Sequence, residues 1–151
     1  MDMSGEYRIP APRDKVWQAL NDPEILKQAI PGCEELIKTS DTDLEAKVTA
    51  KVGPVKAKFE GTVELTNLNP PESYTIQGEG KGGVDGFAKC GADVTLTEQP
   101  DGTLLRYEVK ATVGGKLAQL GSRLINATAN KLAKKFFDNF QAHLNTADAA
   151  E

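Results

Sequence analysis

From Asp43 onward apolar and polar residues alternate with a period of two. Leu44, Ala46, Val48, Ala50 and Val52 fall on one side and Glu45, Lys47, Thr49 and Lys51 on the other, the pattern of a strand with one buried and one wet face. After Gly53-Pro54 the alternation resumes, with Val55, Ala57, Phe59, Gly61, Val63 and Leu65 against Lys56, Lys58, Glu60, Thr62 and Glu64. Gly53-Pro54 is therefore predicted to be a hairpin or corner joining two long strands. Tyr74, Ile76, Gly78 and Gly80 mark a further strand after the turn at Pro70-Pro71. Ala88, Cys90, Ala92, Val94 and Leu96, then Leu105, Tyr107, Val109, Ala111 and Val113, mark two more on either side of Pro100-Asp101-Gly102. A bulge would send the following side chains to the opposite face, and Gly86 and Gly91 are where one is expected first.

After Gly114-Gly115 the period becomes that of a helix. Between Lys116 and about Asn145, a stripe runs through Leu117, Leu120, Leu124, Ile125, Thr128, Leu132, Phe136, Phe140 and Leu144. A helix of about 30 residues spans roughly 45 Å, longer than the sheet is wide, and is predicted to lie diagonally across the concave face. At the other end Glu6 to Ile9 reads as a short strand. Pro12 opens a first short helix with Val16, Trp17 and Leu20 on one face. Asp22 caps a second, with Pro23 at its first position and Ile25, Leu26, Ala29 and Ile30 apolar, ending at Pro31-Gly32. Together they form a lid or brace. No repeat or linker divides the chain, so residues 1–145 are predicted to make one α+β domain and residues 146–151 a disordered tail.

With 151 residues the chain can bury about 70% of the surface its unfolded form exposes, enough for one core. A net charge of -4 argues against a nucleic-acid partner. The start, MDMSGEYRIP, lacks the basic stretch and apolar run of a secretory signal, and no apolar run reaches the roughly 18 residues of a membrane span. The expectation is a cytoplasmic protein that meets a membrane, if at all, from its surface, with Cys33 and Cys90 as reduced packing thiols.

The inward faces of the strands are small. Ala46, Ala50, Ala57, Gly61, Gly78, Gly80, Ala88, Cys90, Ala92 and Ala111 recur among the larger inward residues. Small side chains could let the helix settle close to the sheet, whereas the helix's own Leu and Phe residues would hold it off. A void of about 300 Å³ left that way would cost on the order of 7 kcal/mol at about 24 cal/mol per Å³, comparable with a domain's net stability. An apolar ligand would remove that cost, and an apolar pocket is the usual form of a small-molecule site. The set as a whole favours the pocket. Its predicted wall is Val48, Ala50, Val52, Phe59, Gly61, Val63, Tyr74, Ile76, Gly78, Ala88, Cys90, Ala92, Tyr107, Val109 and Ala111 from the sheet, with Leu120, Leu124 and Thr128 from the helix.

Catalytic chemistry is scarce in that wall. Alternation sends Glu45, Glu60, Glu64, Glu79, Asp93 and Glu108 to solvent, and the single histidine, His143, is placed on the surface of the last helix. No acid–base pair, triad or zinc cluster remains, and no catalytic or metal-ligating residue is assigned. Gly78-Glu79-Gly80-Lys81-Gly82-Gly83 has dinucleotide-binding spacing but lies between strands instead of before a helix. Lys81 to Gly86 reads as a plain hairpin loop or a gate beside the pocket mouth. Asn126-Ala127-Thr128 lies on a helix and carries no weight as a glycosylation acceptor. Tyr74 and Tyr107 bring inward phenols, each able to satisfy a core carbonyl or to orient a ligand oxygen. Lys131, Lys134 and Lys135 beside Phe136, Phe137 and Phe140 could meet an anionic membrane or acidic partner, but a basic helix face over a buried aromatic stripe explains the same residues.

Ile9-Pro10-Ala11-Pro12 with Val16-Trp17 and Leu20, Asp22-Pro23-Glu24, Ile30-Pro31-Gly32-Cys33, and Val52-Gly53-Pro54-Val55-Lys56-Ala57-Lys58-Phe59-Glu60-Gly61 together resemble the carbon monoxide dehydrogenase G-subunit family, to about Leu144. The resemblance implies a helix-grip, START-like fold, with a curved antiparallel sheet wrapped around a long C-terminal helix and two short helices after the first strand. It also implies a non-catalytic accessory protein of a molybdenum-containing carbon monoxide dehydrogenase or related hydroxylase, tethering that enzyme to the membrane or carrying quinone to it. The expected ligand is a quinone or lipid-like molecule, with no tightly required cofactor. Some relatives have a longer C-terminal extension suited to membrane attachment. The short Ala- and acid-containing end here fits a soluble shuttle with transient membrane contact. A cyclase- or hydrolase-type enzyme using Tyr74 or Tyr107, and a pocketless protein–protein adaptor, are the alternatives.

Overall fold

The computed structural model describes residues 2–83 and 86–150, with side chains on the last helix described to Leu144. Strands β1 (Asp2–Ile9), β2 (Cys33–Lys38), β3 (Asp43–Val52), β4 (Val55–Asn69), β5 (Ser73–Lys81), β6 (Phe87–Gln99) and β7 (Gly102–Gly114) form one antiparallel sheet. Its order is β1-β7-β6-β5-β4-β3-β2. The registers keep the predicted faces together: Ala46 lies opposite Gly61, Gly61 opposite Gly80, Gly80 opposite Ala88 and Ala88 opposite Val113. Gly91 holds register between Gln77 and Lys110. The shifts fall instead between Cys33 and Glu35 and between Thr66 and Asn69.

Two strands differ from expectation. β1 begins at Asp2, four residues before the predicted start at Glu6. β2 was not anticipated, because the irregularity after Cys33 sets Glu34 and Glu35 in succession and erases the period of two.

Helices α1 (Arg13–Leu20) and α2 (Pro23–Ala29) follow β1. Asp22 caps α2, its Oδ1 accepting from the Glu24 N–H at 2.9 Å, and Pro23 fills the first turn, where no N–H is needed. The last helix, α3 (Ser122–Ala150), starts later than predicted. A 3-10 helix takes Gly115–Leu120, and Gly121, at φ +93°, turns the chain between the two. That conformation suits glycine and strains other residues. α3 reaches Ala150, within the segment expected as a tail. Glu151 lies outside the described residues, as do Val84 and Asp85 in the loop read as a possible gate.

The helix is fastened to the sheet near both of its ends. The larger apolar cluster gathers Ile9, Val16, Leu20, Leu96, Leu105, Phe140 and Leu144, with Tyr7 stacked on Phe137 at 4.2 Å. Asn139 Nδ2 donates to the Ala29 carbonyl and Gln141 Nε2 to the Arg8 carbonyl, each at 3.1 Å. A smaller cluster joins Val52, Ala57 and Leu117, with Leu120 and Leu124 packed on it.

Candidate functional site

Between those clusters the cross-strand rows lose bulk from the second one onward. Leu96 and Leu105 line up with Tyr7. The next row is Tyr74, Val94 and Tyr107, and the one after it Leu65, Ile76, Ala92 and Val109. Then come Leu44, Val63, Gly78, Cys90 and Ala111, and finally Ala46, Gly61, Gly80, Ala88 and Val113. Protein interiors close up only where side chains fill the gap between elements. From the row of Tyr74, Val94 and Tyr107 onward the sheet supplies fewer atoms with each row, and α3 is held off by its two attachments.

The space left has two chambers. The inner one, about 310 Å³, is walled by Leu65, Tyr74, Ile76, Ala92, Val94, Leu105, Tyr107 and Val109, closed by Leu20, Asn21, Leu26 and Ile30 around the α1–α2 junction and by Ala133, Phe136 and Phe137 of α3. The outer one, about 450 Å³, lies between Ala46, Val48, Val52, Phe59, Gly61, Gly78, Gly80, Ala88, Cys90, Ala111 and Val113 and the helical residues Leu117, Ile125, Thr128, Ala129 and Leu132. Val63 belongs to both walls.

Of the predicted wall, Tyr74, Ile76, Ala92, Tyr107 and Val109 line the inner chamber. Val48, Val52, Phe59, Gly61, Gly78, Ala88, Cys90, Ala111 and Thr128 line the outer one. Ala50, Leu120 and Leu124 line neither. Ala50 sits opposite the fully buried Ala57, and the corner at Gly121 turns Leu120 and Leu124 onto the small cluster that closes the outer end. Sequence reasoning missed the contribution of α1 and α2 and of Ile125, Ala129, Leu132 and Ala133. The apolar faces of those helices signal burial without saying against what.

The family profile described as the carbon monoxide dehydrogenase G subunit (CoxG) matches residues 5–145. The chain belongs to the CoxG family. It is similar to the crystal structure of a conserved protein from Geobacillus kaustophilus, with 30% identity, a TM-score of 0.91 and 97% of each chain covered. Two more distant likenesses show the fold alone. A protein of Thermus thermophilus has 15% identity and a TM-score of 0.73, with 97% of this chain and 99% of that one covered. A protein of Mycobacterium smegmatis has 19% identity and a TM-score of 0.71, with 97% and 92% covered. No curated protein matches. The architecture of this CoxG family member is the helix grip that the resemblance implied.

Its cavity is poor in ionisable groups. Tyr74, 4% exposed, packs edge-on against Trp17 with ring centroids 5.1 Å apart. Its hydroxyl has no hydrogen-bond partner among the described residues, and burial pushes the phenol's pKa well up. Tyr107 instead joins a stacked trio with Tyr7 and Phe137. Its hydroxyl lies over Gly5, where an added β-carbon would stand 2.7 Å away. Burial and then the neighbouring Tyr7 raise its pKa. The Asn21 amide donates to the Trp17 carbonyl at 2.9 Å. Cys90 is an exposed residue of the outer wall, with a thiol pKa raised by desolvation against a weaker opposing bond to the Gly78 backbone. Burial raises the Cys33 thiol as well.

Glu45, Glu60, Glu64, Glu79, Asp93 and Glu108 are all exposed, whereas His143, expected on the surface, is partly buried. Lys131, Lys134 and Lys135 are exposed above the buried Phe137 and Phe140, with Lys134 bridged to Asp138 at 3.3 Å. Among the described residues no group of three or more His, Cys, Asp or Glu could hold a metal ion.

Proposed function

We propose that this chain is a non-catalytic accessory protein that holds a hydrophobic ligand, a quinone or lipid-like molecule, between its sheet and α3. It serves a molybdenum-containing carbon monoxide dehydrogenase or related hydroxylase, delivering that ligand or recruiting the enzyme to the membrane. The observation that carries this reading is the pair of apolar chambers, about 310 and 450 Å³, each of the size that encloses a small molecule. Covering about 200 Å² of apolar ligand surface would contribute roughly 5 kcal/mol without any charged anchor. Family membership supports the partner class. The chambers weigh against a filled-core adaptor, and the lack of a buried carboxylate or imidazole among the described residues of their walls weighs against a cyclase or hydrolase. Among the described residues no helix is long and apolar enough to cross a membrane. The proposed action is in the cytoplasm, with transient contact at the membrane surface.

Organic extraction of the purified protein followed by mass spectrometry tests the reading directly. A co-purifying quinone or lipid is expected, together with a rise in melting temperature on adding quinone. Repeated extraction without such a molecule, and no thermal shift, would count against it.

A further inference from the structure

We propose that the ligand lies stretched along β5, with a neutral carbonyl head group accepting a hydrogen bond from Tyr74 in the inner chamber and an apolar chain passing Val63 into the outer one. This rests on the ligand-binding reading above and adds its chemical class and orientation.

Tyr74 lines the inner chamber and Gly80 the outer, six positions apart on one strand. At about 3.3 Å per residue the two chambers together run roughly 20 Å, which suits a long molecule better than a compact one. The two ends differ in polarity. Tyr74 is 4% exposed, its hydroxyl makes no hydrogen bond to a described residue, and its oxygen is not among the fully enclosed polar atoms, so an acceptor in the chamber it lines can reach it. One N–H of the Asn21 amide goes to the Trp17 carbonyl, and Lys38, the inner wall's one cation, is exposed. A buried carboxylate would therefore lack a buried counter-charge, and a neutral acceptor fits. Among the described residues the outer wall offers no buried polar side chain: Thr128 is partly exposed, and Thr62, Glu79, Lys89 and Cys90 are exposed. Val63 lines both chambers and stands opposite Gly78, which adds no side chain beside it.

Trp17, the single tryptophan, is 5.1 Å from Tyr74 and so reports on the inner chamber alone. Methyl palmitate brominated beside its carbonyl is expected to quench Trp17 fluorescence strongly, and the same ester brominated at the end of its chain only weakly. Equal or reversed quenching would overturn the orientation. Tyr74→Phe removes only the hydroxyl. It is expected to weaken methyl palmitate about five-fold and leave hexadecane unchanged, both read by calorimetry. Equal loss for both ligands, or for neither, would overturn the role of Tyr74 while leaving hydrophobic binding intact. Binding of neither ligand by the unmodified protein would instead defeat the underlying reading.

Discussion

Replacing Gly78 with valine should make the protein more stable and a poorer binder. A β-carbon built at Gly78 meets the Cys90 sulfur at 3.4 Å, the Thr62 carbonyl oxygen at 3.9 Å and Val63 Cγ2 at 4.0 Å, all ordinary contacts. Losing a strand glycine's backbone freedom favours folding by about 0.5–1 kcal/mol. Two γ-methyls, each about half buried, add roughly 0.8 kcal/mol together. The expected gain of about 1–2 kcal/mol corresponds to a melting temperature higher by about 2–8 °C in a chain of this size. Those methyls occupy space in the outer chamber beside Val63, so affinity for a hydrophobic fluorescent dye should fall about ten-fold or more.

Gly61 faces the same cavity one row away and should behave oppositely. Its β-carbon would overlap the Glu79 carbonyl oxygen and stand 2.9 Å from the Gly80 α-carbon, so Gly61→Val forces a backbone shift and should destabilise by about 1–3 kcal/mol. Urea unfolding and dye titration of both variants check the pair. A Gly78→Val protein that is less stable and binds the dye unchanged would refute the account of the cavity.

Phe140 is fully buried where α3 meets the larger cluster, and Phe140→Ala should lower the unfolding free energy in urea by about 3–5 kcal/mol. Tyr74 gives alkaline stability a definite sign. Its phenol ionises near pH 10 in an unfolded chain, but burial raises its pKa in the fold. Its contribution is therefore intact below about pH 10 and is lost at up to about 1.4 kcal/mol per pH unit as pH rises towards the folded value. Urea titrations across that range should show a flatter alkaline arm for Tyr74→Phe than for the parent. The raised pKa of Cys90 predicts that alkylation by iodoacetamide sets in at a higher pH than for an ordinary thiol. Because Cys90 lines the outer chamber and Cys33 does not, a bound hydrophobic ligand should slow labelling of Cys90 alone, as read by peptide mass spectrometry.

The faces of β3 to β7 were legible because every second residue differs in polarity, and that pattern persists through Gly91, where the ladder from Gln77 to Lys110 stays in register. β2 was not legible, since its consecutive glutamates break the alternation by which a strand is recognised. The corner at Gly121 escaped notice for the opposite reason. Leu117 and Leu120 pack inward from the 3-10 helix as the later stripe does from α3, so the apolar period continues although the path of the chain does not. For the same reason the apolar period puts Leu120 and Leu124 with the wall, although they pack on the small cluster at its end.

Why the small residues make a cavity at all is a matter of register, which alternation alone does not determine. Ten small inward residues scattered among large ones would be filled by their neighbours, as in any packed core. Pairing instead brings Ala46, Gly61, Gly80 and Ala88 into one row and leaves Leu96, Leu105 and Tyr7 together in another. The deficit of volume then accumulates towards one end of the sheet, under a helix pinned near both ends by Phe140 and by Leu124. A helix so held cannot descend into the gap without unpacking one of its attachments, and loss of Phe140 packing alone would cost several kcal/mol, about 3–5 by analogy with truncation to alanine. The taper and the two attachments thus act together. Shrinking the rows without the pins would give a closer-packed helix, and the pins without the taper would give a filled core.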